Sequence, residues 1–573
     1  MPASLTFPGV YIEEISSGVR TITGVATSIT AFVGRAQRGP ANEPTTINSL
    51  ADFERQFGGL SAAYPMSYAV KDFYLNGGSQ AIIVRLIPTA PAAAPPPAGP
   101  AGAGPAAGPA APAPAAPPPS AKAAEVSLPA IDIKNGSPLA LIAATPGSWS
   151  NDLGVGVDYN TKEMLPLNPK TKLPVDPSKA TVFNITVFEK NDSGQFLAKE
   201  SFLNVSPSSS DPRYLPRVLK DGSSLVLVKD SSVTTPFTLP GVKLDGKGNV
   251  TPTAFDGSGN DGPAGLTITD LPGDQASKTG IYALEKADLF NLLCIPPDMR
   301  NGDTPTAALQ AALTYCVSRR AMLIVDSPSK WTTNPNTAAN DAKNGFLAGD
   351  VGLTGTDARN AALYFPRVRE ADPMRDGQID TFAPCGIVAG IMARTDVQRG
   401  VWKAPAGIDA SLNSIAGLEV NLTNDENGQL NPLGINCLRS FPITGSVVWG
   451  ARTLRGADQF ADDYKYVPVR RLALFLEESL YRGTQWVVFE PNDEPLWAQI
   501  RLNVGAFMHN LFVQGAFQGQ TPKDAYFVKC DKDTTTQNDR DLGIVNILVG
   551  FAPLKPAEFV VIQIQQIAGD IAT

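Results

Sequence analysis

The sequence has a single histidine, His509, among 573 residues. A metal site ligated by histidines needs several of them, and a Ser-His-Asp or Cys-His catalytic device would have to use this one. His509 falls just beside an apolar stripe that repeats at helical spacing through residues 496–513. We therefore expect a structural or solvated histidine, no metal, no cofactor and no catalytic residues.

Cysteine is also scarce, and no pair has C-x-x-C spacing. Five scattered thiols are typical of a reduced, cytoplasmic protein. No apolar run approaches the ~18–20 residues of a membrane span, and no basic segment precedes an apolar run at the N-terminus. We expect no membrane insertion and no secretory signal. The cysteines are Cys294, Cys316, Cys385, Cys437 and Cys530.

Charged residues make up only 18% of the chain, and the formal net charge is −8. Without a cluster of Lys and Arg, this balance argues against nucleic-acid binding. Hydrophobic residues make up 43%, which is enough for a sizeable core. A chain of this length is expected to form several domains.

Motifs that carry enzyme chemistry are mostly missing. Residues 257–262 match G-x-G-x-x-G, but no apolar strand precedes them and no helix follows, so we interpret them as a glycine turn. There is no P-loop. Asp298, Asp303 and Asp326 lie near predicted strand ends, where open α/β sheets bind ligands. Helix capping explains the same aspartates, so an acidic enzyme site is the weaker interpretation.

One segment cannot belong to a packed core. Between residues 88 and 119, 31 of 32 residues are Ala, Pro or Gly, and 13 of them are proline. Such a run favours extended polyproline conformations, and we interpret it as a linker. Residues 126–269 follow, rich in Ser, Thr, Asp, Gly and Pro, and predict an inserted β-rich domain.

The chain on either side of this insertion has an α/β pattern. Residues 29–33 and 81–87 are short apolar runs with helical periodicity between them, capped by Ser49. The runs 290–296 and 322–326 enclose a predicted helix, which makes a β-α-β unit with parallel strands.

The last hundred residues predict two helices, 468–482 and 495–514, followed by strands. The first helix has Leu472, Leu476 and other apolar residues on one face, with Glu478 and Arg482 as an i,i+4 pair. In the strands 543–551 and 558–567, alternate residues are apolar. A terminal strand frays unless another strand pairs with it.

Several blocks follow one another in a fixed order: 7–15 (FPGVYIEEI), 24–40, 279–285, 291–296, 390–406 (with GVWKAPA), 435–439, 449–453 (WGART), 466–471 (YVPVRR), 538–543 and 551–559 (FAPLKPAEF). Together these blocks resemble the contractile tail sheath protein family, found in phage tails and in phage-tail-like injection systems. They cover roughly residues 1–87 and 270–573, whereas the Ala/Pro segment and 126–269 lie where such proteins vary.

The resemblance implies a multidomain α/β and α+β protein. Its expected parts are an inner α+β sheath domain completed by strand exchange, a middle α/β domain and an inserted β-rich outer domain. The corresponding ranges are 1–25 for an N-terminal exchange arm, 26–87 with 270–395 for the middle domain, 88–125 for the linker, 126–269 for the outer domain and 396–573 for the inner domain.

The implied function is that of a virion or particle structural protein. Subunits would stack as rings around an inner tube, exchange terminal strands and contract to drive the tube through a target envelope. The expected partners are further copies of the chain, the inner tube protein, and baseplate and terminal cap proteins. The expected place of assembly is the cytoplasm. A passive shell or surface-layer protein is the alternative from another class.

Terminal segments with apolar residues are the candidates for intersubunit strand exchange. Charged residues at the start of the helix 468–482 are the candidates for tube contact, because a sheath must release its tube and exposed charges suit that task. The strand-exchange candidates are Val10, Tyr11, Ile12, Glu13, Ile15, Val545, Ile547, Val549, Phe559, Val560, Ile562 and Ile564. The tube-contact candidates are Lys465, Arg470 and Arg471.

Overall fold

The computed structural model describes residues 20–89, 120–132, 136–191, 193–234 and 236–563. Its largest element is an eight-stranded sheet, in which six central strands are parallel and the strand at each edge is antiparallel to its neighbour. In spatial order the strands are Gly445–Val448, Ile435–Phe441, Ala361–Phe365, Met322–Asp326, Leu292–Cys294, Thr30–Gly34, Ala81–Arg85 and Thr45–Ile47.

Helices cover both faces of this sheet, so its strands are apolar on both sides. The predicted β-α-β unit is confirmed, since Leu292–Cys294 and Met322–Asp326 pair in parallel across the helix Thr306–Ser318. One face carries Leu50–Phe57, Met66–Leu75 and Cys385–Arg399; the other carries Thr306–Ser318, Ala338–Leu347 and Asn424–Leu430.

Local sequence explains where the first of these helices begins and ends. The Ser49 side chain accepts a hydrogen bond from the backbone N–H of Asp52 at 3.1 Å, which caps the helix Leu50–Phe57. Gly58 follows with a φ of 92°, a left-handed conformation that ends the helix without a Cβ penalty.

Beside the main sheet lies a three-stranded sheet of Val368–Asp372, Gln378–Phe382 and Gly417–Leu418.

Residues 120–262 surround a hydrophobic core of their own, built mainly from two antiparallel sheets. Arg38 links this region to the main body through an ion pair with Glu189 at 3.0 Å. Its strands are Glu125–Leu128, Leu139–Ala143, Leu153–Asp158, Phe183–Lys190, Phe196–Val205, Val226–Val228 and Thr253–Ala254, and its helices are Leu215–Gly222 and Asp230–Thr234.

The two ends of the Ala/Pro-rich segment lie close together. The Pro88 carbonyl oxygen and the Ala121 nitrogen are 3.3 and 3.1 Å from the position that a Cβ on Gly262 would occupy. The chain therefore leaves and re-enters the body at one place, and the segment does not bridge a gap between two separated anchor points.

The C-terminal part is built on two long helices, Val467–Gly483 and Glu494–Val513, which confirms the two predicted helices. They share a core with an antiparallel hairpin of Tyr526–Lys529 and Leu548–Phe551. Two short helices, Pro522–Ala525 and Gln537–Asp541, lie next to these strands in the chain. His509 is exposed on the second long helix, as expected.

Candidate assembly surface

The C-terminal hairpin is a sheet of only two strands among the described residues. Tyr526 pairs with Phe551 and Lys529 with Leu548, so each strand has one edge occupied and one edge open. An open edge presents backbone N–H and C=O groups to which a further strand can pair. The hairpin therefore has backbone groups to which a further strand could pair.

Side chains of the second strand, and of the residues that lead into it, pack within the subunit. Val545, Ile547 and Val549 are partly buried against the core of the two long helices, together with Phe551. The prediction that alternate residues here point one way is confirmed, although the regular strand begins only at Leu548. What these residues could offer a neighbour is their backbone edge, because their side chains already pack inside.

Beyond the hairpin, the chain continues into a largely exposed apolar segment. Phe559, Val560, Val561 and Ile562 are 77–82% exposed, and no regular secondary structure includes them. Burying one such apolar side chain is worth about 1.5–3 kcal/mol, so leaving four of them in water is unfavourable for a lone subunit. Ile564 lies outside the described residues.

The residue just before this apolar segment is firmly held. The Glu558 carboxylate accepts hydrogen bonds from Nε and Nη2 of Arg452 at 2.8 and 2.6 Å, and one from the Tyr466 hydroxyl at 3.2 Å. Arg452 is 1% exposed and also pairs with Asp458 at 3.0 Å. The C-terminal segment thus leaves the body from a fixed point. We call this contact the Glu558 clamp.

The predicted N-terminal exchange residues Val10, Tyr11, Ile12, Glu13 and Ile15 lie outside the described part of the chain. The described chain starts with residues 20–25, which pack on the subunit's own helices. The backbone N–H of Arg20 donates to the Asn503 side chain at 3.2 Å, and Ile22 is buried against the C-terminal core.

Two of the three tube-contact candidates are not exposed, which corrects that expectation. Arg470 and Arg471 are 8% and 4% exposed. Arg471 forms two hydrogen bonds with Asp396, and Arg470 donates to the Asn360 side chain at 3.1 Å. The physical reason is that their helix is covered on two sides, by the main sheet and by the C-terminal core. Lys465 is more exposed and pairs with Asp458 at 2.6 Å.

The aspartates near the strand ends hold the fold together. Asp298 pairs with Arg35, and Asp303 pairs with Arg367 and accepts from the Ser329 backbone. Asp326 accepts from the backbone N–H of Cys385 at 2.9 Å, where the helix Cys385–Arg399 begins. Burial raises the pKa of the Asp326 carboxyl to about 6. Each carboxylate has a structural partner.

Neither a metal site nor a membrane span is indicated by the described residues. They contain no group of three His, Cys, Asp or Glu side chains placed to hold a metal ion. No helix in the described ranges combines the length and apolarity needed to cross a bilayer. All five cysteines are free thiols in buried positions.

Sequence reasoning missed the Glu558 clamp. Both partners belong to blocks that carried the family resemblance, WGART and FAPLKPAEF. Their separation of 106 positions follows no local spacing rule, so only the folded chain shows that they meet.

Comparisons with known proteins agree with this architecture. Residues 274–454 match the family model described as phage tail sheath protein central domain, and residues 461–567 match phage tail sheath C-terminal domain. Together the two models match about half of the chain. Residues 455–460 separate the two matched ranges. This gap lies further along the chain than 395/396, the boundary between the middle and inner domains that the sequence predicts.

Individual proteins that are similar to this chain are also sheath proteins. The tail sheath protein of Vibrio phage KVP40 is 29% identical over 127 residues, which is 22% of this chain and only 18% of that relative's length. The sheath of an extracellular contractile injection system, in its contracted state, is 20% identical, with a TM-score of 0.53 and 99% of each chain covered. A sheath tail protein from Listeria innocua is 14% identical, with a TM-score of 0.56 over 93% of this chain and 96% of that one. The chain therefore belongs to the contractile tail sheath protein family, whose members are structural sheath subunits.

Proposed function

We propose that copies of this chain polymerise as stacked rings around an inner tube and contract to drive that tube through a target envelope. The observation that carries the proposal is the exposed apolar segment 559–562, which leaves the body at the Glu558 clamp close to a hairpin with open edges. Such a segment is stable only when another surface covers it, and a strand edge on the next subunit is the natural acceptor.

The contacts that such an exchange would form are substantial before its costs are counted. About five ladder hydrogen bonds contribute a net ~1 kcal/mol each, and three buried aliphatic side chains contribute ~1.5–3 kcal/mol each. Ordering the arm and fixing one subunit on another offset a large part of that sum. Extended arms also tolerate rotation between the bodies that they connect, so subunits can change their packing without separating.

The work of contraction comes, in this proposal, from interfaces that form only in the contracted state. A ligand or a new interface shifts a conformational equilibrium by its differential free energy between the two states. The sequence has no P-loop that would couple the change to a nucleotide. The chain acts as a mechanical component and not as an enzyme.

The proposed arrangement has three layers. The C-terminal part with the two long helices faces the tube, the body around the eight-stranded sheet lies outside it, and 126–269 is outermost. Baseplate and cap proteins would bind the two ends of the sheath. Assembly takes place in the cytoplasm, and the product is a phage tail or a tail-like particle.

Of the charged candidates, Lys465 is the one we retain for tube contact. Its ammonium pairs with Asp458, which is itself about half exposed, so the pair can open towards a partner at little cost. A Lys465→Glu variant should stay folded and bind tubes less well. Unchanged assembly on tubes would remove Lys465 from the tube surface.

The direct test of the proposed function is co-expression of the full chain with the inner tube protein of the same gene cluster, followed by electron microscopy. The expected product is a helical sheath around each tube in two lengths, a long narrow one and a short wide one. Bare tubes beside soluble subunits, or sheets without a central tube, would contradict it. Deleting residues 1–17 should give folded subunits that form few long sheaths.

A further inference from the structure

Three ionisable side chains meet inside the main body, where the helix Met66–Leu75 contacts the strand Val368–Asp372. The Lys71 Nζ atom lies 3.0 Å from Oε2 of Glu370 and 3.2 Å from Oδ1 of Asp72. The side chains of Lys71, Glu370 and Asp72 are 11%, 1% and 2% exposed. Water is therefore almost excluded from an amine and two carboxyl groups that touch. We call this group the Lys71 triad.

The two carboxyl groups of the triad share a proton. Oδ2 of Asp72 and Oε1 of Glu370 are buried, and neither has a hydrogen-bond donor among the described residues. A proton held between the carboxyls supplies the missing donor, since the two groups lie within hydrogen-bonding reach of each other. Burial, followed by the charge of Glu370, raises the pKa of Asp72 well above its usual range. Asp72 is therefore the acid of the triad, and Glu370 is the carboxylate that pairs with Lys71.

The resting state of the triad places charges where they are costly. Burial favours the neutral amine of Lys71, but the charges of Asp72 and Glu370 outweigh it and raise the pKa of the ammonium. Lys71 and Glu370 thus rest as an ion pair, and the removal of both ions from water opposes that state. A reaction that turns the ammonium and the carboxylate into one uncharged group removes this cost.

We propose that Lys71 and Glu370 condense into an isopeptide bond, an amide between Lys71 Nζ and Glu370 Cδ, with Asp72 as the proton carrier. Glu370 supplies the acyl group because it is the charged partner of the amine, whereas Asp72 keeps its proton. The bond forms once, within one subunit, and involves neither the terminal arms nor the tube. The inference is therefore independent of the proposed function.

The atoms and charges of this step balance. Lys71 passes one ammonium proton to Oε2 of Glu370, and the neutral nitrogen attacks the Cδ atom. Asp72 polarises Cδ by donating its proton towards Oε1, and it relays a second proton from the nitrogen to the departing oxygen. The Nζ–Cδ bond forms, the Cδ–Oε2 bond breaks, and one water molecule leaves with that oxygen and the two protons. No atom is oxidised or reduced, and Asp72 ends with the proton that it had at the start.

Contact and burial together set this pair apart from an ordinary salt bridge. Reacting groups held about 3–3.5 Å apart in a fixed orientation behave as if at very high concentration. Lys330 and Asp350 give the contrast, because their nitrogen and oxygen atoms lie 2.7 Å apart but the Lys330 side chain is 63% exposed. The other Asp350 oxygen accepts from the Trp331 indole, so no carboxyl proton is needed there. This second pair should remain an ion pair.

The bond would have a mechanical consequence. Lys71 and Glu370 are 299 positions apart, so an amide between them closes a loop that contains the Ala/Pro-rich segment and the inserted region. A cross-link restricts the unfolded chain, and in the chain-entropy description it does so more for a longer loop. It also holds the helix Met66–Leu75 on the strand Val368–Asp372 when the subunit is under load.

Mass spectrometry tests the proposal on the purified full-length chain, kept folded at neutral pH for several days. The intact mass should be lower than that of the sequence by one water molecule, and a tryptic digest should contain a branched peptide that joins Lys71 to Glu370. Lys330 in the same digest is the internal control and should remain unlinked. An intact mass equal to that of the sequence would show an ion pair only. A water loss without a branched peptide would show a cyclic imide elsewhere, and either result would overturn the proposal.

Two variants then assign the roles. Lys71→Arg keeps the positive charge but has no amine that can form the bond, so it should keep the mass of its sequence. Asp72→Asn lacks the acid, so the bond should form at least about a hundredfold more slowly, as expected when general acid–base catalysis is removed. Lys330→Arg is the matched control and should lose one water molecule like the unaltered chain.

Two outcomes from the variants would contradict the proposal. These are a water loss that persists in Lys71→Arg and an unchanged rate of bond formation in Asp72→Asn. If a variant fails to fold, the branched peptide of the unaltered chain still decides whether the bond exists.

Discussion

Arg471 and Asp396 form a bidentate ion pair in which Nη1 and Nη2 of the arginine lie 2.8 and 2.6 Å from the two carboxylate oxygens. Both side chains are 3% exposed. The pair joins the helix Val467–Gly483 to the helix Cys385–Arg399, and it also holds Thr27, whose hydroxyl donates to Asp396 and whose carbonyl accepts from Arg471. One contact thus ties the C-terminal part to the sheet body.

Removing one partner of a buried ion pair leaves the other charge uncompensated. Arg471→Met should therefore lower the free energy of unfolding by about 3–5 kcal/mol, measured by denaturant titration. The matched control is Arg55→Met, which breaks a surface pair with Asp52 and should cost no more than about 1 kcal/mol. Equal, small effects from both variants would mean that the Arg471 pair does not hold the two parts together.

The Glu558 clamp should matter more for assembly than for folding. Glu558→Gln removes the charge that compensates Arg452 but leaves Asp458 paired with it, so we expect a loss of about 1–2 kcal/mol in unfolding free energy. The arm loses its fixed departure point, and sheaths should become shorter at equal protein concentration. Glu43→Gln is the control, since that carboxylate is more than half exposed and pairs with Lys286, next to the strand Thr45–Ile47. Equal sheath lengths from both would argue against a positioning role for Glu558.

Asp326 makes stability depend on pH in a definite direction. Its pKa is about 6 in the folded chain, because burial disfavours the charged form, against about 3.9 when unfolded. The folded state therefore binds the proton more tightly, and this group's stabilising contribution is full below pH ~4 and is lost as the pH rises to ~6. Asp326→Asn should remove that slope and raise the unfolding free energy at pH 7 by up to about 3 kcal/mol, which is what a shift of about two pKa units represents. A variant with an unchanged pH profile would show that Asp326 is not the group responsible.

The Ala/Pro-rich segment should be dispensable for the fold. Because Pro88 and Ala121 meet at Gly262, replacing residues 90–119 by eight Gly and Ser residues closes a shorter loop between the same two points. Loop-closure entropy then favours the variant by up to ~1 kcal/mol. Thermal unfolding should show equal or higher stability, and sheaths should still form. A marked loss of stability would mean that the segment packs against the body.

Much of the fold could be predicted because its signals are local. The helices Val467–Gly483 and Glu494–Val513 differ by only a residue or two from their predicted bounds, since apolar periodicity and flanking residues mark both. The parallel β-α-β unit followed from two apolar runs around a helix.

The site residues were harder to predict from the sequence, because the burial of a helix depends on what packs against it. Arg470 and Arg471 lie off the Leu472 and Leu476 stripe, where a helix on the surface of a single core would expose them. This helix lies between two cores, so the arginines are buried and paired instead. Asp396 and Asn360, their partners, are far away in the sequence, as Glu558 is from Arg452.

The most direct test of strand exchange is to delete residues 559–573, which leaves the Glu558 clamp intact and removes the apolar segment beyond it. Circular dichroism and size-exclusion chromatography should show folded, monomeric subunits. Electron microscopy after co-expression with the tube protein should show bare tubes or only short stretches of sheath. Long sheaths that still contract, built from this truncated chain, would mean that body-to-body contacts alone hold the subunits, and the exchange of C-terminal strands would have to be abandoned.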